Sequence, residues 1–396
     1  MRRTLAVLSA AVAVAGLLGG CGSSKPVAKP TPTFGPVLPG DFGGSGPGTL
    51  ISANSLPNLD PGLRKATSEA ARIVYTSTSG ISDTETKVSG AVLVPIGAAP
   101  PGGWPVIAVG HPNTGSEIDC APSWSPTLGG LTPAVETFVS AGYVVVAPDY
   151  QGLGVDDDDP HPFLDSATAA YNIMDAVRAT AKLVPNTSVR WAGYGSGQGG
   201  QAVWAADELA GDYGLGGQLV GVVAAEPTAA LDGLADDAAA GNLTKDQMLL
   251  LHQYLSALAN QYSEFKIDDY RHGVLKSNWD ALSGCVGSPS PKRATVTSQM
   301  TPDDLRPATP AATDALRGYL QKTSLPQGPT TAPMLLTPAG PDGVIPKAWT
   351  DRAVAQACAM GDVVTFGTTA ETDPANALAW ISDRFNSVAP QNDCLQ

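Results

Sequence analysis

The sequence predicts an α/β fold, a mostly parallel central sheet flanked by helices with a helical cap inserted late in the chain. Three observations predict it. Short apolar runs recur between helical stretches, at Trp104–Gly110, Tyr143–Pro148, Leu219–Ala225 and Met334–Thr337. Strands without a polar face must be covered on both sides, as in a sheet whose crossovers are helices. The stretch Trp191-Ala-Gly-Tyr-Gly-Ser-Gly-Gln-Gly-Gly-Gln201 leads from a strand into a helix through a glycine-rich turn. Finally, residues 226–330 show no parallel-strand pattern and are dominated by helical stretches such as Lys245 to Asn260, which marks an insertion.

Each element follows in order. Arg2-Arg3, the apolar run Leu5 to Leu18 and Gly19-Gly-Cys21 read as a signal peptide over residues 1–20, too short to be a membrane span. Leu18-Gly-Gly-Cys21 looks like a bacterial lipobox, which implies cleavage before Cys21 and lipid on its thiol; the alternative is an ordinary secretory signal with a chance cysteine. Residues 21–48 are rich in Ser, Pro and Gly and read as a tether, leaving 49–396 as the folded domain. Ala70–Ser77 and Thr86–Pro95 read as a hairpin around Gly80–Asp83. After Trp104–Gly110 come the loop His111-Pro-Asn-Thr-Gly115, a helix over Thr132 to Ala141 and the strand Tyr143–Pro148. An acidic loop and an alanine-rich helix to about Leu183 follow. Beyond the cap the sheet resumes with Met334–Thr337, a helix from Trp349 to Met360, Val363–Phe366 and a last helix from Pro374 to Phe385.

Composition narrows the function classes. The formal charge is −14, and loss of Arg2 and Arg3 with the signal takes it to −16. That balance argues against nucleic acid and against electrostatic attraction to anionic lipid, so lipid on Cys21 would have to hold the protein at a membrane. Cys120, Cys285, Cys358 and Cys394 suggest two disulfides, for which three pairings are open. No cysteine or histidine spacing suggests a metal site, and the Asp156–Asp159 run lacks the spaced ligands of a calcium loop. No cofactor is expected.

The glycine-rich turn carries the chemistry. A strand, a sharp turn and a helix are the setting of the nucleophile elbow of α/β hydrolases, written G-x-S-x-G. Here Gly195-Ser-Gly-Gln-Gly199 supplies the flanking glycines, but its centre is Gly197. Ser196 stands one residue early, flanked in its own register by Tyr194 and Gln198, and is expected to bond local backbone.

Taken together, Ser89–Pro95, His111…Thr-Gly115…Cys-Ala-Pro-Ser123, Asp149-Tyr-Gln-Gly-Leu-Gly154, His161-Pro-Phe-Leu164, Gln198-Gly-Gly-Gln-Ala202 and Ala379–Phe385 resemble the secretory lipases, α/β hydrolases with a helical cap. The resemblance runs from about Pro47 to Cys394. It implies an ester hydrolase fold and suggests pairing Cys120 with Cys285 and Cys358 with Cys394. It also implies an acid at Asp342, in the turn after the strand ending near Thr337. The histidine that should follow is missing: none occurs after His272, and Phe366–Asp373 offers only threonines and two carboxylates. His111, Pro112, Asn113 and Gln198 take the oxyanion-loop and pocket positions, where proline replaces the family's glycine and has no N–H to give.

With the nucleophile and base positions unfilled, the expectation is an exported, lipid-anchored relative of these hydrolases that binds an acyl ligand or an envelope partner. The alternatives are an active esterase using Ser196 with a non-standard base, and a structural envelope protein.

Overall fold

The computed structural model describes residues 32–157, 159–214, 216–340 and 343–395. Its strands are β1 (Leu50–Ser55), β2 (Thr67–Thr78), β3 (Glu85–Pro95), β4 (Trp104–Gly110), β5 (Val144–Pro148), β6 (Thr187–Ser196), β7 (Gln218–Ala225), β8 (Met334–Thr337) and β9 (Val364–Phe366). They form one nine-stranded sheet in the order β1-β2-β3-β5-β4-β6-β7-β8-β9. The first three strands pair antiparallel, and β3 meets β5 antiparallel. From β5 to β9 every pairing is parallel.

Successive side chains of a strand point to opposite faces. Val106, Ala108, Val144 and Val146 join one core, while Ile107, Val109, Val145 and Ala147 join another. The first core is closed by α3 (Ser166–Leu183), α4 (Gln198–Tyr213) and α10 (Lys347–Met360). The second is closed by α1 (Pro61–Ala66), α2 (Thr132–Ser140) and α11 (Pro374–Phe385). This is why β4 and β5 contain no polar alternation: neither face meets water.

Between β7 and β8 lies the cap, α5 (Gly233–Ala240), α6 (Lys245–Gln261), α7 (Gly273–Asn278), α8 (Pro291–Gln299) and α9 (Pro310–Thr323). It has its own core, in which Leu251, Leu255, Leu275, Leu305, Leu316 and Leu320 are fully buried. The start of α6 is fixed by a capping box: Gln247 N donates to Thr244 Oγ1 at 3.2 Å, and Thr244 N donates to Gln247 Oε1 at 2.9 Å. Disulfides join Cys120 to Cys285 and Cys358 to Cys394, the pairing the family resemblance implies. The first ties the cap to the loop after β4. The second ties α10 to the C-terminal segment.

Two features depart from the sequence reading. The stretch expected to be a tether as far as Gly48 enters the fold by Phe34: Gly35 N donates to Ser55 O and Leu38 N to Ala53 O, each at 2.9 Å, and the Arg72 guanidinium lies over the Phe34 ring. Polar composition hid this, because the bonds are made by main chain. β1 and the short α1 were also not read. β1, with the sequence LISANS, is an edge strand with no strong apolar period. The signal segment and Cys21 lie outside the described residues, as does Asp342. No helix among the described residues is long and apolar enough to cross a membrane.

Candidate functional site

The turn between β6 and α4 has the backbone of a nucleophile elbow. Gly197 sits at φ 56°, ψ −119°, a conformation that side chains with a Cβ resist. Its N–H donates to Ala225 O and its carbonyl accepts from Gln201 N and Thr228 N, each at 3.0 Å, so the turn is held from β7 and from the cap entry.

The three glycines of the turn are required for different reasons. A Cβ on Gly195 would stand 2.2 Å from Gly199 O, and one on Gly199 would stand 2.1 Å from Gly110 O. The flanking glycines therefore let β4, β6 and α4 touch main chain to main chain. A Cβ on Gly197 would meet nothing nearer than Thr228 Oγ1 at 3.8 Å and Pro112 Cβ at 3.9 Å. The centre has room for a side chain; only its backbone angle favours glycine.

That room opens into a cavity of about 330 Å³, whose walls include Pro112, Gln198, Leu249, Leu250, Val344 and Gly197 itself. The cap supplies the leucines from α6, the half-buried Arg293 and the exposed Asp246. A direct bridge closes cap on sheet: Asn113 Nδ2 donates to Gln253 Oε1 on α6, while Asn113 Oδ1 accepts from Gly115 N at 2.9 Å.

The position that an oxyanion donor takes in a nucleophile elbow is that of the Gln198 N–H. Gln198 begins α4, where a main-chain N–H has no acceptor within the helix. The second donor should come from the loop after β4, and there Pro112 has none.

No histidine stands ready to serve as base. His111 is fully buried, stacked on Tyr150 at 4.2 Å, with Nδ1 at 2.7 Å from Pro112 O and Nε2 at 3.0 Å from Asp149 O. Burial lowers its pKa, and in the neutral ring only one nitrogen donates. It is absent from the cavity wall formed by its neighbours Pro112 and Asn113. His161 Nδ1 lies 2.8 Å from Gln151 O, and its Nε2 faces Gln198 Nε2 at 3.4 Å, so the ring accepts from the Gln198 amide and helps seat the start of α4. His252 Nε2 lies 3.0 Å from Trp279 O inside the cap. Burial brings both His161 and His252 down to about 4. His272 Nε2 lies 2.8 Å from Arg306 O.

The loop between β9 and α11, where a catalytic histidine would be carried, closes on itself. Glu371 Oε2 accepts from Thr368 N at 2.5 Å and from Thr368 Oγ1 at 3.1 Å, and Asp373 caps α11 at Ala375 N. Buried Thr372 bonds Thr337 Oγ1 at 3.2 Å, and its carbonyl accepts from Tyr194 OH at 3.1 Å.

Ser196 belongs to the last pair of β6, opposite Ala225, and is absent from the cavity wall. The hydrogen bond to local backbone expected of its hydroxyl is not formed, and no partner takes its place among the described residues. The sheet ladder and the elbow bonds of Gly197 already use the main-chain groups around it.

A second polar centre was not read from sequence. Asp149, fully buried, accepts from Ser89 Oγ and Ser123 Oγ at 2.6 Å and from Ser123 N at 2.7 Å. Arg72 donates to Ser123 Oγ and to Gly154 O. This network fixes Ser123, in the Cys120–Trp124 segment, to Asp149 after β5 and to Arg72 on β2. Its signal in the sequence was the Asp149-Tyr-Gln-Gly landmark, whose partners lie far away along the chain. In the acidic loop, Asp157 accepts from Lys87 N at 3.0 Å; Asp158 lies outside the described residues. The one grouping of metal-ligating residue types among the described residues is Asp119, Cys120 and Cys285, and both cysteine sulfurs are spent in the disulfide.

A family model for secretory lipase matches residues 132–393. No curated protein sequence is significantly similar to the chain. Among solved structures, Candida antarctica lipase A in its closed state is similar at 17% identity and TM-score 0.70, covering 92% of this chain and 89% of that one. The rice cell wall degrading esterase LipA from Xanthomonas oryzae, in a ligand-bound form, is similar at 20% identity and TM-score 0.65, covering 87% of this chain and 97% of its own. A putative hydrolase from Legionella pneumophila is similar at 18% identity and TM-score 0.66, over 85% and 97%. At these identities the structures speak for the α/β-hydrolase fold.

Proposed function

The chain belongs to the secretory lipase family, and on that premise we propose that it is a member that binds an acyl or other apolar ligand without hydrolysing an ester. One observation carries the reading. At the elbow the place for a nucleophile is sterically open and faces a mostly apolar cavity, yet Gly197 puts no oxygen there. Ester cleavage in this fold needs a hydroxyl on the elbow, a base to take its proton, and donors for the oxyanion. Of these, the Gln198 N–H is present, while the base loop holds Glu371 in its own turn. Loss of a single triad member already removes most of the rate.

The wider proposal places the protein on the outer face of the membrane, exported by its signal segment and held by lipid on Cys21. Its acidic charge gives anionic lipid no electrostatic purchase, so the covalent anchor is what the reading requires.

The test is hydrolysis of short- and long-chain p-nitrophenyl esters by the purified mature protein, with a fluorophosphonate probe and mass spectrometry of the unheated protein. Background turnover, no labelling and co-purifying lipid are the expected results. Robust turnover with label on Ser196 would overturn the proposal in favour of a rearranged esterase. An empty protein that takes up no apolar probe would favour a structural role.

A further inference from the structure

The cavity over Gly197 has charges whose placement goes beyond a generic apolar pocket. Arg293, half-buried on α8, lines it together with Leu249, Leu250 and Val344. Its Nη1 reaches only the carbonyls of Gly284 and Cys285, at 3.4 and 3.3 Å, long for a charged donor. Among the described residues it has no carboxylate partner. A half-buried guanidinium in the wall of a mostly apolar cavity, with two long bonds to carbonyls, has donors left over for a ligand.

The same cavity contains Gln198 at the start of α4, a 16-residue helix whose N-cap, Gly197, has no side chain to satisfy its first N–H groups. A serine at the elbow would put an oxygen in front of those donors; here the space is left to whatever enters. The opposing charge, Asp246, is exposed at the rim, where water screens it. The volume, about 330 Å³, is at the small end of ligand pockets.

We propose that Arg293 makes this cavity selective for a carboxylate: the ligand is a free aliphatic carboxylic acid, its head group between Arg293 and the elbow and its chain along Leu249, Leu250 and Val344, in preference to the corresponding neutral ester. The inference rests on the reading of the cavity as an acyl-binding site. It assigns that site the anionic product class of ester hydrolysis, not the substrate class. A carboxylate can use both the guanidinium and the helix-end N–H, whereas an ester carbonyl presents no charge to either.

The experiment is calorimetric titration of the mature protein, below the micelle threshold, with dodecanoate and with methyl dodecanoate. The wild type is expected to bind the acid roughly tenfold or more tightly than the ester, the range for a hydrogen bond to a charged group. Arg293→Gln should bring the acid-over-ester ratio down to about one, and Arg293→Lys, which keeps the charge but not the planar fork, should retain part of it. Thermal unfolding of each variant shows whether the cap remains folded. Equal binding of acid and ester by the wild type, or a preference untouched by Arg293→Gln, would overturn the carboxylate assignment and leave the acyl-binding reading standing. Binding of neither compound would overturn both.

Discussion

The elbow and the loop between β9 and α11 occupy the two ends of what should be one catalytic relay, and they differ in what holds them. The elbow is held by main-chain contact: Gly195, Gly199 and Gly110 are packed so closely that a methyl group on either of the first two would fall about 2 Å from a carbonyl oxygen. The loop is held by side chains that bond their own neighbours, with Glu371 exposed and turned onto Thr368. Backbone geometry that packs the sheet against α4 is needed for stability whether or not a reaction occurs. A histidine on an outer loop is needed only for the reaction. The packing that keeps the turn does not call for a hydroxyl at Gly197, and the bonds that hold the loop do not call for a histidine.

The largest expected effect tests the packing half of that contrast. Gly199→Ala pushes a Cβ into Gly110 O and should cost about 3 kcal/mol or more, read as a lowered denaturant midpoint, or prevent folding. If Gly199→Ala were tolerated, the elbow would not be a packing requirement and the comparison would fail.

Next comes the centre of the turn. Gly197→Ser has room for its Cβ but must hold φ 56°, so it should destabilise by about 1–3 kcal/mol. Ester hydrolysis should stay at background, since no histidine is placed to take the proton. Substantial turnover by this variant would show that a base is available after all.

The elbow helix also has a buried carboxylate, without counterpart in the outer loop. Asp207 on α4 accepts from Thr331 N and Ala332 N through Oδ1, while Oδ2 is buried without a partner. Burial outweighs those bonds and raises its pKa to about 8. The folded state therefore keeps a proton that the unfolded chain loses near pH 4, and stability should fall as pH rises from about 4 through about 8. The slope for one such group approaches about 1.4 kcal/mol per pH unit. Asp207→Asn should flatten the dependence of Tm on pH between 6.5 and 8; an unchanged slope would remove Asp207 from the account.

Smallest are the effects at Glu371 and Ser196. Glu371→Ala should cost about 1 kcal/mol or less, the worth of one exposed loop turn. Ser196→Ala should lie within about 0.5 kcal/mol of wild type, with no change in any residual activity, because its hydroxyl has no partner to lose. A large loss of stability or activity from Ser196→Ala would break the reading of that residue as a bystander.

Much of the site was legible beforehand because it is written in neighbouring residues. The run Gly195 to Gly199 shows both the turn and the missing hydroxyl, and Pro112 shows the missing donor. The cap residues were not legible. Helical period identifies α6, but nothing in Leu249, Leu250 or Gln253 says which of them looks onto Gly197. Arg293 lies 96 positions further along the chain than Gly197. The Asp149 network was equally hidden, since Ser89 and Ser123 reach it from 60 and 26 residues away.

The sequence by itself determined the class of fold, the glycine at the centre of the elbow, the want of a histidine after His272 and the place of the cap, since strand apolarity, turn glycines and the absence of a residue type are local properties. Only the tertiary structure decided that Gly35 to Leu38 bonds to β1, that the Ser196 hydroxyl has no partner among the described residues, that all four histidines bond backbone carbonyls, and that an arginine lines the same cavity as Gly197. Those facts depend on which distant groups share one low-dielectric space, and packing, not spacing along the chain, sets that.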